Sequence, residues 1–564
     1  MIRKLTIGLL VCALELTCSR IAAAESTHGT HASSAAAQPT SVPLFDGLGP
    51  VHHKVTTKSP EAQKYFDQGL AFIYAFNHDE SVRAFKEAAR LDPDMAMAYW
   101  GIALARGPNI NLPQDEASGR EAFEAMQKAL ALKGKVTEAE RDYIDVLATR
   151  YSSDGRPSPK LDESYANAMR KLKDKYPDDL DASVLFAESM MDLRPWQLWS
   201  KEGKPAPGTE EIVETLELVI KGQPNHIGAN HYYIHAVEAS PHPERALNSA
   251  DRLGNLTPAA GHLVHMPSHI YIRTGRYDAG AKSNEAAIIA DRKYIESQKP
   301  AGVYPLMYAN HNIHFLWACR IAQGNKQASM AAAKQLVGSV PDDAVRQMPM
   351  AEFMVPTVLF TQARFGMWDE ILASPAPPKD FMYTSGMRHY ARGLALLAMG
   401  KTADANSELK QLDAITVATP LDSIVGFNKS KDILALASAL LAGQIASKER
   451  RRGDAVKDLR RAVSLQDNLI YEEPPAWYYP VRQTLAVELV QQGKLEEAEA
   501  VYREDLMRNP ENGVSLNGLA NTLRARGKHD EAAEIDARFK KAWANADVPP
   551  DLDAALSRGQ ISAR

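Results

Sequence analysis

Between Ala62 and Pro93 the chain reads AQKYFDQGLAFIYAFNHDESVRAFKEAARLDP, with apolar and small residues at helical spacing on either side of a polar turn. The pattern predicts two antiparallel helices. Gly69 and Ser81 are small where the helices cross, Tyr65, Phe72 and Phe85 fill the groove, Ala88 keeps the second helix close, and Pro93 ends it. Near the C-terminus, QQGKLEEAEAVYREDLMRNP and ARGKHDEAAEIDARF place Ala498 and Ala532 at the same internal position. Turn-plus-alanine fragments recur between these ends: GRYDA at Gly275, GMWDE at Gly366, GKTADA at Gly400 and RRGDA at Arg451. Each reads as a helix–turn–helix pivot. Residues 107–208 fit this pattern poorly, and GPNINLPQ, SSDGRPSPK and RPWQLWSKEGKPAPG read there as loops between longer helices. No run of alternating β-branched residues argues for a sheet.

Tyr65, Gly69, Phe72, Ser81, Phe85, Ala88 and Pro93 fall at the small and aromatic positions of a tetratricopeptide repeat, which the unit resembles. The resemblance extends over most of residues 60–545. It implies an all-α fold, a TPR-like α-solenoid of antiparallel helix pairs. First helices of such a solenoid line a concave wall that takes a peptide or another protein.

Three predicted first helices of successive repeats carry an unusual load. NHYYIHAVEAS holds His231, His235 and Glu238; GHLVHMPSHIYIR holds His262, His265 and His269; MYANHNIHFLWACR holds His311 and His314. At about 100° per residue, each set falls within an arc of about 60° on its helix. Neighbouring first helices lie about 8–10 Å apart, so three such stripes can converge on one point. Pro267 breaks a helix hydrogen bond between His265 and His269, and a kink there lets both rings aim at one centre. Neutral imidazoles with one carboxylate and no thiolate suit a transition metal (copper, zinc or iron) rather than calcium or magnesium. Eight groups exceed one tetrahedral shell, so some orient the others or the site holds two ions. Glu238 is expected as a ligand or a general base.

Composition narrows the rest. The chain has 564 residues, is 45% hydrophobic and 24% charged, and carries a formal charge of −5. With no basic stripe, a nucleic-acid partner is not expected. Arg3 and Lys4, an apolar run to Leu16 and Ala22-Ala23-Ala24 read as an export signal, residues 1–24. Its cleavage removes Cys12 and Cys18 and leaves Cys319, buried and inert. A flexible tether follows over 25–47. An N-terminal superhelix with the histidine wall spans 48–340, C-terminal repeats span 341–548, and a tail spans 549–564. No membrane span is expected, and the location is periplasmic or secreted.

Other residues read as structural: His52 and His53 as a solvated linker pair, with folding back as ligands the alternative, and His78 at a turn whose Asn77 to Glu80 resembles a helix start. Arg194, Trp196 and Trp199 either pack a loop or wall a substrate pocket. EEPPAWYYPVR, from Glu472 to Arg482, packs between repeats. HYYIHAVEAS, GHLVHMPSHIYIR, PPAWYYPVR and NPENG together resemble one family of exported bacterial tetratricopeptide-repeat proteins, which implies fold and export but no reaction. The expected function is a metal site on the concave face, serving a metal-dependent oxidoreductase or hydrolase, with a small molecule or peptide in the groove. The alternative is a non-enzymatic scaffold for a peptide or an envelope protein.

Overall fold

The computed structural model describes residues 42–550. The expected export signal, most of the tether and nearly all of the tail lie outside them. Helices follow one another through the described chain; α1 (Pro60–Tyr74), α2 (His78–Leu91) and α3 (Ala96–Ala105) form its beginning. Extended structure among the described residues amounts to the two-residue strands Ile424–Val425 and Asn428–Lys429, paired as a hairpin, and isolated bridges.

The first repeat packs as its sequence requires. A Cβ added at Gly69 would lie 2.7 Å from the Phe85 ring, and one at Gly101 2.5 Å from it. Phe85 is therefore seated between two helices that can approach because they lack side chains there. Ser81 Oγ donates to the Gly69 carbonyl at 2.7 Å, which satisfies the hydroxyl inside the crossing. Asn77 caps α2 by accepting from the Glu80 amide, so the turn matches the expected helix start.

The site is carried by α4 (Ile227–Glu238), the broken pair α5 (Gly261–His265) and α6 (Pro267–Arg273), α7 (Tyr277–Gln298) and α8 (Ala309–Ala322). Pro267 has no amide to bond back to the preceding turn, and the helix divides at Met266 as expected. Gly228 faces Tyr74, where a Cβ would come within 2.5 Å of the ring, so α4 sits hard against the end of α1. Gly261 leaves room for Asp291, which accepts from Tyr304 Oη at 2.8 Å and Asn312 Nδ2 at 2.6 Å, tying α7 to α8.

The apolar core divides within α8. One core runs from Leu48 to Tyr308, and a second begins at Ile313 and includes Trp317 and Ile321. One helix has two buried faces and serves both halves. Residues 42–47, the described part of the expected tether, are anchored: Tyr65 Oη donates to the Val42 carbonyl at 2.8 Å, and Phe45 meets Phe72 edge to face. The C-terminal repeats curl back on the middle of the chain. Asp547 accepts from the Lys326 and Gln327 amides at 2.6 and 2.9 Å, and Trp543 fills the space above Gly324. No helix among the described residues is long and apolar enough to cross a membrane.

Substituting Gly69→Val forces a branched side chain into the Phe85 ring. It should cost about 1–3 kcal/mol, seen as a lower urea midpoint with helical circular dichroism retained at zero denaturant. An unchanged midpoint would show that this crossing is not tightly packed.

Candidate metal centre

The three histidine-bearing segments converge as two triads. His231, His235 and His262 each offer a ring nitrogen within 4.8 Å of the others, and so do His265, His269 and His311. His311 is half-buried and the other five are buried. The triads adjoin: the His235 and His269 rings are 5.5 Å apart, and those of His262 and His265 are 5.9 Å apart.

Hydrogen bonds at the far side of four of the six rings orient them. His231 Nδ1 lies 2.7 Å from the Tyr74 carbonyl oxygen, and His265 Nδ1 lies 2.7 Å from Asn284 Oδ1. The Asn284 amide cannot be reversed without loss, because its Nδ2 donates to the Gly280 carbonyl at 2.7 Å. Glu238 serves two rings: Oε1 accepts from His235 Nδ1 at 2.7 Å and Oε2 from His269 Nδ1 at 2.6 Å. In a neutral imidazole that donates through Nδ1, Nε2 carries only a lone pair. Four rings therefore present Nε2 as an acceptor. His265 and His269 bring these atoms to 2.9 Å, a contact that sets two lone pairs face to face when both rings are neutral and that an added cation would bridge. His231 Nε2 and His262 Nε2 are 3.2 Å apart, and His235 Nε2 has no partner.

Burial is the largest influence on these rings. It drives the pKa of His231, His262, His265 and His311 well below the ordinary histidine value, and the neighbouring imidazoles add to the effect. His235 is lowered by burial too, against the opposing pull of Glu238. Burial would push Glu238 up, but His269 and His235 outweigh it and hold the carboxyl down to about 2. Aromatic rings fill the surrounding space. Phe76 packs on His231, His235 and His262, while Phe315 packs on His265, His269 and His311.

Two expectations change. His314 does not join either triad: it lies 5.2 Å from and parallel to the Trp317 ring, and packs on Phe353 of the second core. Its separation from His311 along α8 carries it across the divide between the cores. Glu238 has both carboxylate oxygens engaged by ring nitrogens, so it orients the imidazoles instead of offering a free base.

Sequence patterning did not point to Tyr74, Phe76, Asn284, Phe315 or Tyr471. Tyr471 reaches the site from the C-terminal half, with Oη 2.8 Å from Glu473 Oε1 and 3.4 Å from Glu238 Oε2. Nothing local marks these residues, since each becomes relevant only through the packing of distant helices.

His53 is not solvated. Its Nδ1 meets Asp181 Oδ2 at 2.8 Å, and its ring packs on Tyr143 and Phe66. His226 Nε2 approaches Asp181 Oδ1 at 3.3 Å, and Tyr74 Oη donates to the same carboxylate. Tyr74 thus joins this network through its hydroxyl and the first triad through its carbonyl. Burial opposes ionisation of Asp181, but His226 and His53 hold its carboxyl well below the usual range. Burial also acts against the charged form of His53, yet Asp181 raises its pKa overall. His53, Asp179 and Asp181 are close enough to hold a cation. However, Asp179 already accepts from Tyr143 Oη at 2.7 Å and from the Ala182 amide at 3.2 Å, and Asp181 is occupied from three sides. This cluster is a structural ion pair.

Comparison with known proteins identifies tetratricopeptide repeats in two parts of the chain. A tetratricopeptide-repeat family matches residues 66–106 and 484–547. Solved structures that are similar include a human IFIT1 dimer with m7Gppp-AAAA, at 13% identity and a TM-score of 0.33, covering 87% of this chain and 92% of that one. A human IFIT1 dimer with PPP-AAAA is also similar, at 13% identity and a TM-score of 0.32, covering 86% and 91%. No curated protein matches the sequence. The chain is an all-α, TPR-like solenoid.

The His53–Asp181 pair predicts a pH-dependent stability. Because the folded state raises the His53 pKa, the pair stabilises fully below the unfolded value of 6.5 and loses that contribution as pH rises through the folded value. Asp181→Asn should cost about 3 kcal/mol near pH 6 and less near pH 8.5, measured by urea unfolding. A cost that is independent of pH would remove the ion pair from the account.

Proposed function

We propose that this protein is a metalloprotein in which two adjoining imidazole triads hold a pair of transition-metal ions inside a TPR-like solenoid. The observation that carries the reading is the meeting of His265 Nε2 and His269 Nε2 at 2.9 Å, in rings whose other nitrogens face Asn284 and Glu238. Buried acceptors that face one another repel unless a cation lies between them. His235 Nε2, buried and unpartnered, adds the same signal in the first triad.

The donor set fits such ions. His231, His235 and His262 would hold one, and His265, His269 and His311 the other. Three neutral nitrogens suit zinc, copper or iron, and the outer hydrogen bonds from Tyr74, Glu238 and Asn284 are of the kind that orients ligating imidazoles. An ion bound by three imidazoles keeps an open position, which supplies Lewis acidity or oxygen chemistry. Glu238 holds one ring of each triad, and the Phe76 and Phe315 rings keep water from the imidazoles. On this basis we assign the activity to a metal-dependent oxidoreductase or hydrolase, with redox chemistry favoured by the all-imidazole set. The N-terminal sequence supports export to the periplasm or beyond.

The competing reading is a scaffold whose concave face binds a peptide or envelope protein, for which the repeat architecture is the support. Burial argues against these histidines as its recognition surface, because rings packed beneath Phe76 and Phe315 are not displayed to a partner.

Untagged protein reconstituted with copper, zinc or iron should retain about two ions per chain for at least one metal, one per three-imidazole set. His265→Ala/His269→Ala should retain about one. Elemental analysis after gel filtration measures both, with circular dichroism confirming the fold. Retention of no metal by the wild type would sink the reading and turn the search to protein partners. Glu238→Gln should weaken metal affinity about 10–100-fold, because an amide can accept from only one of the two rings. Unchanged affinity would free Glu238 from the orienting role.

A further inference from the structure

One tyrosine hydroxyl stands between two buried carboxylates at the edge of the imidazole centre. Tyr471 Oη lies 2.8 Å from Glu473 Oε1 and 3.4 Å from Glu238 Oε2. The phenol has a single proton to donate, so it can serve only one of the two at a time. The other Glu473 oxygen, Oε2, is buried and makes no hydrogen bond. Arg273 holds the phenol against the end of α4. Its guanidinium lies 5.7 Å from the centre of the Tyr471 ring, while Nε donates to the Glu238 carbonyl at 3.0 Å and Nη2 to the Ser240 carbonyl at 3.3 Å.

Two buried anions that share one hydroxyl are costly, so one of them is favoured in its neutral form. Glu238 keeps its charge because two imidazoles donate to it. Burial pushes the Glu473 carboxyl up to about 7 against the pull of Arg273; the Glu238 charge adds to the rise, and Tyr471 and His269 oppose it. Tyr277 of α7 and Cys319 of α8 also feel the Glu473 charge. Burial raises both, the thiol to about 12, so they keep their protons near neutrality. Burial raises Glu472 to about 7 as well, but its oxygens are taken at 2.9 Å by the Phe427 amide and Asn428 Nδ2.

We propose that Tyr471 and Glu473 are positioning residues for the imidazole centre, and that Glu473 governs, through the one phenol proton, how Glu238 holds His235 and His269. With a proton on Glu473, its O–H donates to Tyr471 Oη and the phenol donates to Glu238 Oε2. When the Glu473 O–H ionises and its proton leaves to solvent, the phenol turns to Glu473 and Glu238 serves the two rings alone. Glu238 then pulls harder on the Nδ1 protons, which makes each Nε2 a stronger electron-pair donor. The added negative charge favours a cation in the same direction. The inference rests on the metal reading for its consequence, whereas the exchange of hydrogen bonds belongs to the chain itself.

Two measurements on the full-length protein test it. In metal-free protein carrying isotope-labelled histidine, the Nδ1–H resonances of His235 and His269 should move between about pH 6 and about pH 8, on either side of the Glu473 value. Tyr471→Phe and Glu473→Gln should each reduce that movement. Glu473→Gln is nearly isosteric and decides the matter if Tyr471→Phe fails to fold by circular dichroism. With metal, zinc affinity measured against a competing chelator should rise about tenfold more over the same range in the wild type than in Glu473→Gln. Resonances that move alike in wild type and variants, or equal rises in zinc affinity, would overturn the proposal. Protein that retains no zinc while its resonances move as expected would uphold the exchange and sink the metal reading. Zinc retention with one pH profile for wild type and Glu473→Gln would do the reverse.

Discussion

Two imidazole nitrogens brought to 2.9 Å, each ring fixed from its far side, organise the centre of this protein. His265 and His269 face one another through Nε2 because Asn284 and Glu238 claim the proton on the opposite side of each ring. Asn284 is held by the Gly280 carbonyl one turn earlier on its own helix, and Glu238 is shared with His235. The approach of the two nitrogens is therefore built from outside the triads. Four helical segments keep it in place, and relaxing it would mean breaking bonds in each.

The same arrangement explains why the segment is broken at Pro267. A continuous helix would carry its histidines at regular angular steps, whereas here His262 belongs to one triad and His265 and His269 to the next. Dividing the helix at Met266 separates α5 from α6 while both stay against α7. The loss of one backbone hydrogen bond is a local cost of about 3 kcal/mol, met by burial of Leu263, Met266 and Ile270 around the break.

Enclosure follows from the way the solenoid returns on itself. Tyr471 and Phe427, from the C-terminal half, touch Glu238 and Trp196, from the N-terminal half. What would be the open concave wall of a repeat protein becomes an interior. Burial lowers the pKa of His231, His235, His262, His265 and His311, which favours the form that donates an electron pair, and it makes each unpaired nitrogen expensive. On an exposed wall the same residues would be solvated and would carry no such message.

The repeat fold was legible in the sequence, because helix pairing depends on local spacing: Gly69, Ser81, Phe85 and Pro93 act within one unit. The histidine stripes were legible for the same reason, since helical phase places His231, His235 and Glu238 on one face whatever surrounds them. Sequence could not divide the eight groups into two triads, because that depends on how far neighbouring helices are offset. It could not turn His314 toward Trp317 and away from His311, since the divide between two cores along α8 is set by packing on both sides. The role of Glu238 was equally out of reach: whether a carboxylate is a base, a ligand or an orienting group depends on what meets its two oxygens, and His269 comes to it from another helix. Periodicity along the chain determined which side chains share a face. Only tertiary contact between distant helices decided which atoms face each other, because a hydrogen bond is made or lost over a fraction of an ångström that no local pattern encodes.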